Sequence, residues 1–599
     1  MKKSHVVENT VSVAALLLMA VLPLAEIAIR EFDPSGIPGS ATWVQHLALW
    51  VGFLGAAIAA RRGELLSLTA GATLLKGTMR AAAEVFTAGV AFAVCAVLAS
   101  GSLELLRIER EGGRELALGV PAWVGQLVMP LGFALIGLRI LSKVPFWTGR
   151  AAAGAFIVFP LLLGSLEDLP GTGVVLPLLV IVLGATALGA PIFAGLAGVA
   201  AVLLWNNFDP VSAIPLETYS FIVLKPILPT IPLFTLAGYI LAEGGTPRRL
   251  VELFRALVGW MPGGVAVVAI VVSAFFTSFT GGSGVTILAM GGLLYPMLLE
   301  EKHPHRFSTG LLTSAGSLGL LFPPSLAVIV YGLVAGTDVR RLFVSGWTPA
   351  VLEIGLVVGF ALFHSRRSGI TRVPLEANRV VSALWEAKWE VAIPFVVLGS
   401  ILGGFATLVE ASAVTVLYAF VLEFFVHKDL SLRRDLPRVV GDAATLIGGV
   451  LLILGVAPGL TNYLVIAEIP YLAVQWVQSF VQSPLFFLLL LNLFLLVVGC
   501  VMDIWSAIVV VVPLIVPLGQ LFGIDPFHLG IIFLTNLELG YLTPPVGLNL
   551  FLASHRFKRP LPEVYRAALP FLAIRAVAVL LVTYVPALTR FLPNLLLGK

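Results

Sequence analysis

Apolar runs long enough to cross a bilayer, roughly 20 residues each, follow one another along almost the whole chain. Spans are predicted near residues 11–29, 43–60, 80–106 and 122–142, with an apolar connector at 151–163, and then near 174–189, 191–206 and 228–243. Further spans are predicted near 345–363, 389–403, 411–426 and 563–590, and spans or half-spans at 446–466 and 470–482. Two stretches differ by carrying charge: Thr246–Trp260, with Arg248, Arg249 and Arg255, and His427–Asp442. The first reads as a helix lying along a membrane interface, opened by Thr246-Pro247 as cap and first turn.

Four apolar regions are interrupted. Gly263–Pro296 is broken by Thr277 to Gly284, and Pro484–Pro517 by Gly499-Cys500-Val501-Met502-Asp503; each half is short for a full crossing, so both regions are predicted as re-entrant hairpins. Each is followed by a double proline, at Pro323-Pro324 and at Pro544-Pro545, embedded in the shared pattern Leu-Gly-x-Leu-x-Pro-Pro. A helix cannot run through such a pair intact, because a proline lacks an N–H, its ring clashes with the preceding turn, and the residue before it is pushed out of the α region. Backbone groups freed at membrane depth must be met by protein or by a polar cavity, which marks both breaks as candidate ion or substrate sites.

The order of parts in 173–365 therefore recurs in 388–599: two spans, a charged segment, a hairpin, a broken helix and a final span. Basic residues fix the orientation. Arg61, Arg62, Lys76, Arg80, Arg139, Lys143 and Arg150 fall on the side of Lys2 and Lys3, whereas Glu31, Asp33 and the acidic turn Glu167-Asp168-Leu169-Pro170-Gly171 fall opposite. The positive-inside rule places the N-terminus in the cytoplasm, a connector over 151–172 crossing outward, a cytoplasmic linker over 366–387 (Arg366, Arg367, Arg372, Arg379) and the C-terminus outside. The first half then begins outside and the second inside, as inverted repeats do. Residues 1–150 form a separate four-helix group.

Composition narrows the class. Of 599 residues 59% are hydrophobic and 12% charged, about half the charge of a soluble domain, so the chain is an all-α polytopic membrane protein with about 15–18 crossings or half-crossings. The net charge of +4 reflects cytoplasmic lysine and arginine and gives no reason to expect nucleic acid as a partner. The two cysteines, Cys95 and Cys500, sit in apolar runs without a pairing pattern. No phosphate-binding loop, zinc spacing or Ser/His/Asp constellation is present, so nucleotide hydrolysis and enzyme catalysis are not supported.

Glycine- and hydroxyl-rich tips suit a hard monovalent cation, because unwound carbonyls and Ser/Thr oxygens can replace its water. Candidate ligands are Thr277 and Thr280, with Ser283, facing Gly319, Phe322 and Pro323 in the first half, and Gly499, Gly540, Thr543 and Val546 in the second. The alternative is that the glycines serve close helix packing. Asp503 is a carboxylate in an apolar segment and either contacts ligand or caps the second half-hairpin. Gly281, Ser283, Asp503 and Asn549 are the candidate substrate contacts. Glu538 and Asn536, near the second break, are placed to orient it, and Glu410 is expected to cap the helix at Ala411. The histidines His303, His305, His427, His528 and His555 fall in polar turns and are expected at surfaces.

These residues resemble the membrane component of tripartite ATP-independent periplasmic (TRAP) transporters, with the small and large membrane subunits fused. The resemblance rests on Gly523-Ile524-Asp525-Pro526 through Asn536, Gly540 and Thr543-Pro544-Pro545-Val546-Gly547, on Ile231-Pro232-Leu233-Phe234 with Gly238, on Gly319 to Ser325, and on Met502-Asp503. It is specific over 174–592 and weaker over 1–150, where it rests on helix number and on Gly55-Ala56-Ala57 to Arg61. It implies an elevator-type importer of organic acids in the bacterial inner membrane, coupled to two or more sodium ions. A soluble periplasmic binding protein would deliver substrate, and the small subunit would brace the scaffold. Where this family's first tip reads Ser-Gly-Ser-Ser, the chain has Thr280-Gly281-Gly282-Ser283, one hydroxyl fewer. The competing expectations are a stand-alone ion-coupled carboxylate symporter and a membrane scaffold without flux.

Overall fold

The computed structural model describes residues 2–68, 75–165, 173–367, 376–544 and 546–598, and among these every regular element is helical. The expected outer turn Glu167–Gly171, the linker around Arg372, and Pro545 lie outside the described residues. Eleven of the described helices are long and apolar enough to cross a membrane. The chain is a multi-pass membrane protein divided into two compact units.

The first unit comprises Met1–Leu233 and Pro437–Pro470. Helices Lys2–Arg30, Ser40–Arg62, Gly77–Gly112 and Val128–Lys143 pack together, with the last lying against both Ser40–Arg62 and Gly77–Gly112. Phe53 and Phe133 meet edge to face with centroids 4.9 Å apart, a favoured arrangement for aromatic pairs. Near the N-terminus Glu8 is nearly buried and accepts from Arg61 (3.1 Å) and bidentately from Arg139. Two findings correct the expected element pattern. Helix Ala213–Val223 was not anticipated; it puts the Tyr219 hydroxyl 3.0 Å from His46 Nε2. The predicted charged surface stretch 427–442 is not one element: residues 427–435 turn, and a single 31-residue helix, Leu436–Ile466, begins within it. Asp442 lies within that helix and pairs with Arg62 at 2.6 Å.

The second unit comprises Phe234–Leu436 and Tyr471–Lys599 and holds both hairpins and both breaks. The first hairpin is Gly264–Thr280 and Ser283–Glu300, the second Pro484–Val501 and Ile504–Leu521. The broken helices are His305–Ala315 with Leu326–Ala335 and Pro526–Gly540 with Leu548–Phe557, followed by the long helices Val339–Arg367 and Leu561–Tyr584. Packing between the halves is reciprocal. Ser283–Glu300 lies against Leu548–Phe557, and Ile504–Leu521 against Leu326–Ala335. Likewise His305–Ala315 lies against Leu561–Tyr584, and Pro526–Gly540 against Val339–Arg367. Helices from each half of the chain thus pack against helices of the other half.

The amphipathic helix predicted at Thr246 is present as Thr246–Val258, but its cap is remote. Glu423, in a five-residue π-turn (Leu422–Val426), accepts from the amides of Gly245 (3.1 Å) and Thr246 (3.2 Å) and from the Thr246 hydroxyl. Arg249 on this helix also meets Glu390 and, at 2.5 Å, Asp429. Burial pushes the Asp429 carboxyl up, but the Arg249 guanidinium outweighs it and holds the group below its ordinary range. Within the predicted linker, Ala377–Glu386 forms a helix docked on Leu253 and Ala256 through Ala383, because one of its faces is apolar. Glu410 acts in a capping box whose cap is Thr407, so the helix starts at Leu408, three residues before the expected point.

Two histidines are not at the surface. His303 is 2% exposed and stacks on Phe307, with ring centroids 5.2 Å apart, and burial with the neighbouring His364 pushes its pKa down to about 4. His528 is also buried, 3.2 Å from the Thr583 carbonyl and 2.9 Å from the Thr589 hydroxyl. Thr583, Thr589 and, for His303, His364 lie more than 50 positions away in sequence, which is why a polar turn was the wrong surrounding to infer.

Candidate functional site

At the first tip the helix Gly264–Thr280 ends on Gly281 in the left-handed region (φ +65°), where a side chain would be strained and would strike Leu326. The Thr277 hydroxyl is buried 2.7 Å from the Ser273 carbonyl, 2.8 Å from the Thr286 hydroxyl and 2.9 Å from the Gly316 carbonyl. It can donate only one hydrogen, and the Thr286 hydroxyl can donate to it in turn, so one of the two carbonyls receives no hydrogen from Thr277. Thr280 joins at 3.4 Å from Thr286. Gly319 sits directly on this group: a Cβ there would lie 2.8 Å from Thr277 Cβ and would strike the Ala274 carbonyl. Ser283, at the first position of the returning helix, keeps its buried hydroxyl without a protein partner. Phe322 donates its N–H to the Gly319 carbonyl (3.1 Å) and rests on Trp347, and Pro323 is buried beyond it.

The second tip is built from backbone. Gly499 and Gly540 face each other so closely that a Cβ on Gly540 would lie 2.5 Å from Gly499 Cα and carbonyl carbon, with no flexible side chain to yield. The Gly547 amide donates to the Cys500 carbonyl at 3.1 Å, which ties tip to break. Thr543 turns its hydroxyl back to the Leu539 carbonyl (3.0 Å), and Val546 stands half-buried with non-helical backbone. Asp503 caps Ile504–Leu521: Oδ2 accepts from the amides of Trp505 (3.0 Å) and Ser506 (3.2 Å), and Oδ1 from the Ser506 hydroxyl (2.5 Å). The Ile504 amide donates to the Tyr541 hydroxyl at 2.8 Å, a second tie between tip and break.

Asn549 links the halves. Fully buried at the start of Leu548–Phe557, it donates to the Thr313 carbonyl (3.3 Å) while its own side-chain oxygen has no protein partner. The unpartnered Ser283 hydroxyl and Asn549 oxygen thus both open helices that directly follow a discontinuity. The structure brings Thr277, Thr280 and Gly319 together at one break and Gly499, Gly540 and Asp503 at the other.

Sequence reasoning passed over Thr286 and Gly316, whose oxygens complete the Thr277 group, and it passed over Arg575 and Glu353, the buried partners of Glu538. Arg575 and Glu353 are each 1% exposed within long apolar helices. An ionisable residue inside such a run is a functional candidate by default, and that signal was available. Among the described residues no group of three His, Cys, Asp or Glu could hold a metal ion.

Interrupted helices meeting in pairs within an apolar helical core are the arrangement by which many secondary transporters build their sites. Comparison with known proteins supplies the family. The model for "Tripartite ATP-independent periplasmic transporter, DctM component" matches residues 179–588, and that for the DctQ component matches 19–145. The chain belongs to the TRAP transporter family and is a permease carrying both membrane components. It is 31% identical over 487 residues to the isethionate TRAP transporter permease protein DctMQ of Oleidesulfovibrio alaskensis, covering 79% of this chain and 76% of that one. It is 33% identical over 404 residues to the C4-dicarboxylate TRAP transporter large permease protein DctM of Pseudomonas aeruginosa, covering 67% and 93%. Among solved structures, the Alcanivorax borkumensis YdaH transporter is similar with a TM-score of 0.43 at 16% identity, covering 59% of this chain and 84% of that one.

Proposed function

We propose that this permease imports an organic acid anion across the bacterial inner membrane, driven by sodium and fed by a periplasmic binding protein. The observation that carries the proposal is the pairing of each hairpin tip with a broken helix at an oxygen-rich contact. Relatives named for isethionate and for C4-dicarboxylates support an anionic organic substrate. Three oxygens near the first break lie within 2.9 Å of the Thr277 hydroxyl, a donor set suited to a hard cation. Thr277, Thr280, Gly319, Phe322 and Pro323 would serve one sodium ion, and Gly499, Gly540, Thr543 and Val546 a second. Bound sodium would supply positive charge beside the anion. Ser283 and Asn549, with Gly281, would meet substrate through the starts of half-helices, where the helix dipole favours negative charge; Asp503 serves mainly as a cap.

The reciprocal packing of the two halves supports two-fold related, inverted repeats over 173–365 and 388–599, and an elevator motion of the part that holds both tips. Residues 1–150, joined through 151–172, would brace the remainder. The N-terminus would face the cytoplasm and the C-terminus the periplasm.

The test is uptake of an organic acid into proteoliposomes, with and without the cognate binding protein, under gradients of sodium, lithium or protons. Accumulation that needs both sodium and the binding protein is expected. Full-rate uptake without the binding protein would indicate a stand-alone symporter, and indifference to sodium would overturn the two-site assignment.

A further inference from the structure

We infer that Arg575 is a positioning residue that clamps both helix breaks in one geometry, so that the two proposed ion sites are set by a single guanidinium. The inference rests on the paired-site proposal for its functional meaning, and on the following contacts for its structure.

Arg575 lies in the middle of Leu561–Tyr584 and is 1% exposed. Its Nη1 donates to the Ser317 hydroxyl at 2.6 Å and to the Ser314 carbonyl at 3.3 Å. Its Nη2 donates to Glu353 at 2.9 Å and to Glu538. Ser317 stands two residues before Gly319, and Glu538 two residues before Gly540, so the same register of the repeated Leu-Gly-x-Leu-x-Pro-Pro segment is gripped in both halves. The last turn before the first break and the last turn before the second are thereby held by opposite prongs of one planar fork. Glu353, from Val339–Arg367, holds the fork from a third helix.

A lysine could not replace this arrangement, because an ammonium is a point donor without the fixed fork that reaches two separated acceptor groups. A buried guanidinium needs several partners whatever its role; what matters is where they come from. Here the contacts are divided between the segments that lead into Gly319 and Gly540, which is the division a register clamp requires. Neither Ser317 nor Arg575 is among the residues proposed to touch ion or substrate.

The experiment is amide hydrogen exchange on the full chain in lipid nanodiscs, comparing wild type with Arg575→Lys and Ser317→Ala, each in sodium and in potassium. Arg575→Lys is expected to speed exchange about tenfold in both 316–322 and 539–544 while the other helices keep wild-type protection. Ser317→Ala is expected to loosen 316–322 alone. Unchanged exchange at both segments in Arg575→Lys, or a uniform acceleration over all helices, would overturn the clamp. Should Arg575→Lys fail to fold, Ser317→Ala decides: faster exchange confined to 316–322 upholds the clamp, and no change there overturns it. The sodium proposal is judged separately, by whether sodium slows exchange at both segments of the wild type. Its failure there, with both segments loosened by Arg575→Lys, would leave the clamp standing without the ion assignment.

Discussion

The first break is lined by side chains and the second by main chain. The Thr277 hydroxyl meets the Gly316 carbonyl and the Thr286 hydroxyl, which Thr280 also approaches, whereas at Gly499 and Gly540 the backbones touch and the nearby Thr543 hydroxyl bonds back into its own helix. The arms of the hairpins differ too. Gly264–Thr280 and Ser283–Glu300 pack along each other, while Pro484–Val501 and Ile504–Leu521 touch little and lie on Pro526–Gly540 and Leu326–Ala335 instead. The same topology has therefore been filled by two chemistries, one tunable through hydroxyls and one set by how closely two glycines approach. A repeat can keep its register at Gly319 and Gly540 while the atoms around it diverge.

The contrast is broken most severely at the second glycine. Gly540→Ala would force a Cβ against the backbone of Gly499, and overpacking of this kind costs about 1–3 kcal/mol; uptake in proteoliposomes is expected to fall by about tenfold or more. Near-normal uptake would show that the Gly499–Gly540 contact is slack. Next in size is a difference between threonines. Thr277→Ala removes the hydroxyl at the centre of the first oxygen group, and the half-saturating sodium concentration is expected to rise about tenfold, near the value of one charged-group hydrogen bond. Thr543→Ala removes only a bond to its own helix and is expected to shift that concentration by about twofold or less. Equal shifts would erase the distinction between side-chain and main-chain sites.

A smaller effect separates capping from ligand contact at Asp503. Asp503→Ala is expected to lower stability by about 1 kcal/mol through loss of the cap, read as a shift in thermal unfolding in detergent. Asp503→Asn keeps an accepting oxygen and should stay within about 0.5 kcal/mol of wild type. A large loss of uptake in Asp503→Asn at normal stability would instead make the charge itself part of the substrate site. Smallest is an asymmetry at the hairpin exits. After the first hairpin stands buried His303, held neutral with a pKa of about 4. After the second stands Asp525, which caps Pro526–Gly540 through the amides of Phe527 and His528. Because the folded pKa of His303 lies below its unfolded value near 6.5, its contribution is complete above that pH and declines as pH falls from about 6.5 toward 4. Limited proteolysis near residues 301–305 is expected to increase over that window in wild type and much less in His303→Phe.

Most spans and all four interruptions were legible because bilayer length, glycine-rich tips and Pro-Pro chemistry act locally. What was hidden depended on partners far along the chain. Residues 436–442 read as surface because Arg438 and Asp442 carry charge, and Arg62, the partner of Asp442, lies 380 positions earlier. Ala377–Glu386 was taken into a linker because its docking face meets Leu253 and Ala256, more than 120 positions earlier. Gly319, Gly540 and Thr277 could be chosen from local pattern, whereas Thr286 and Gly316 enter only once the tip has folded against the break. Arg575 and Glu353 were visible as charges in apolar runs, but nothing in the sequence paired them with each other or with Glu538.

The central claim is that two breaks make two cation sites serving one substrate. It is tested most directly by measuring uptake of radiolabelled sodium and of a radiolabelled C4-dicarboxylate or isethionate, presented on the cognate binding protein, in the same proteoliposomes. Two or more sodium ions entering per organic anion is the predicted result. A ratio of one, or sodium entry independent of the anion, would contradict it.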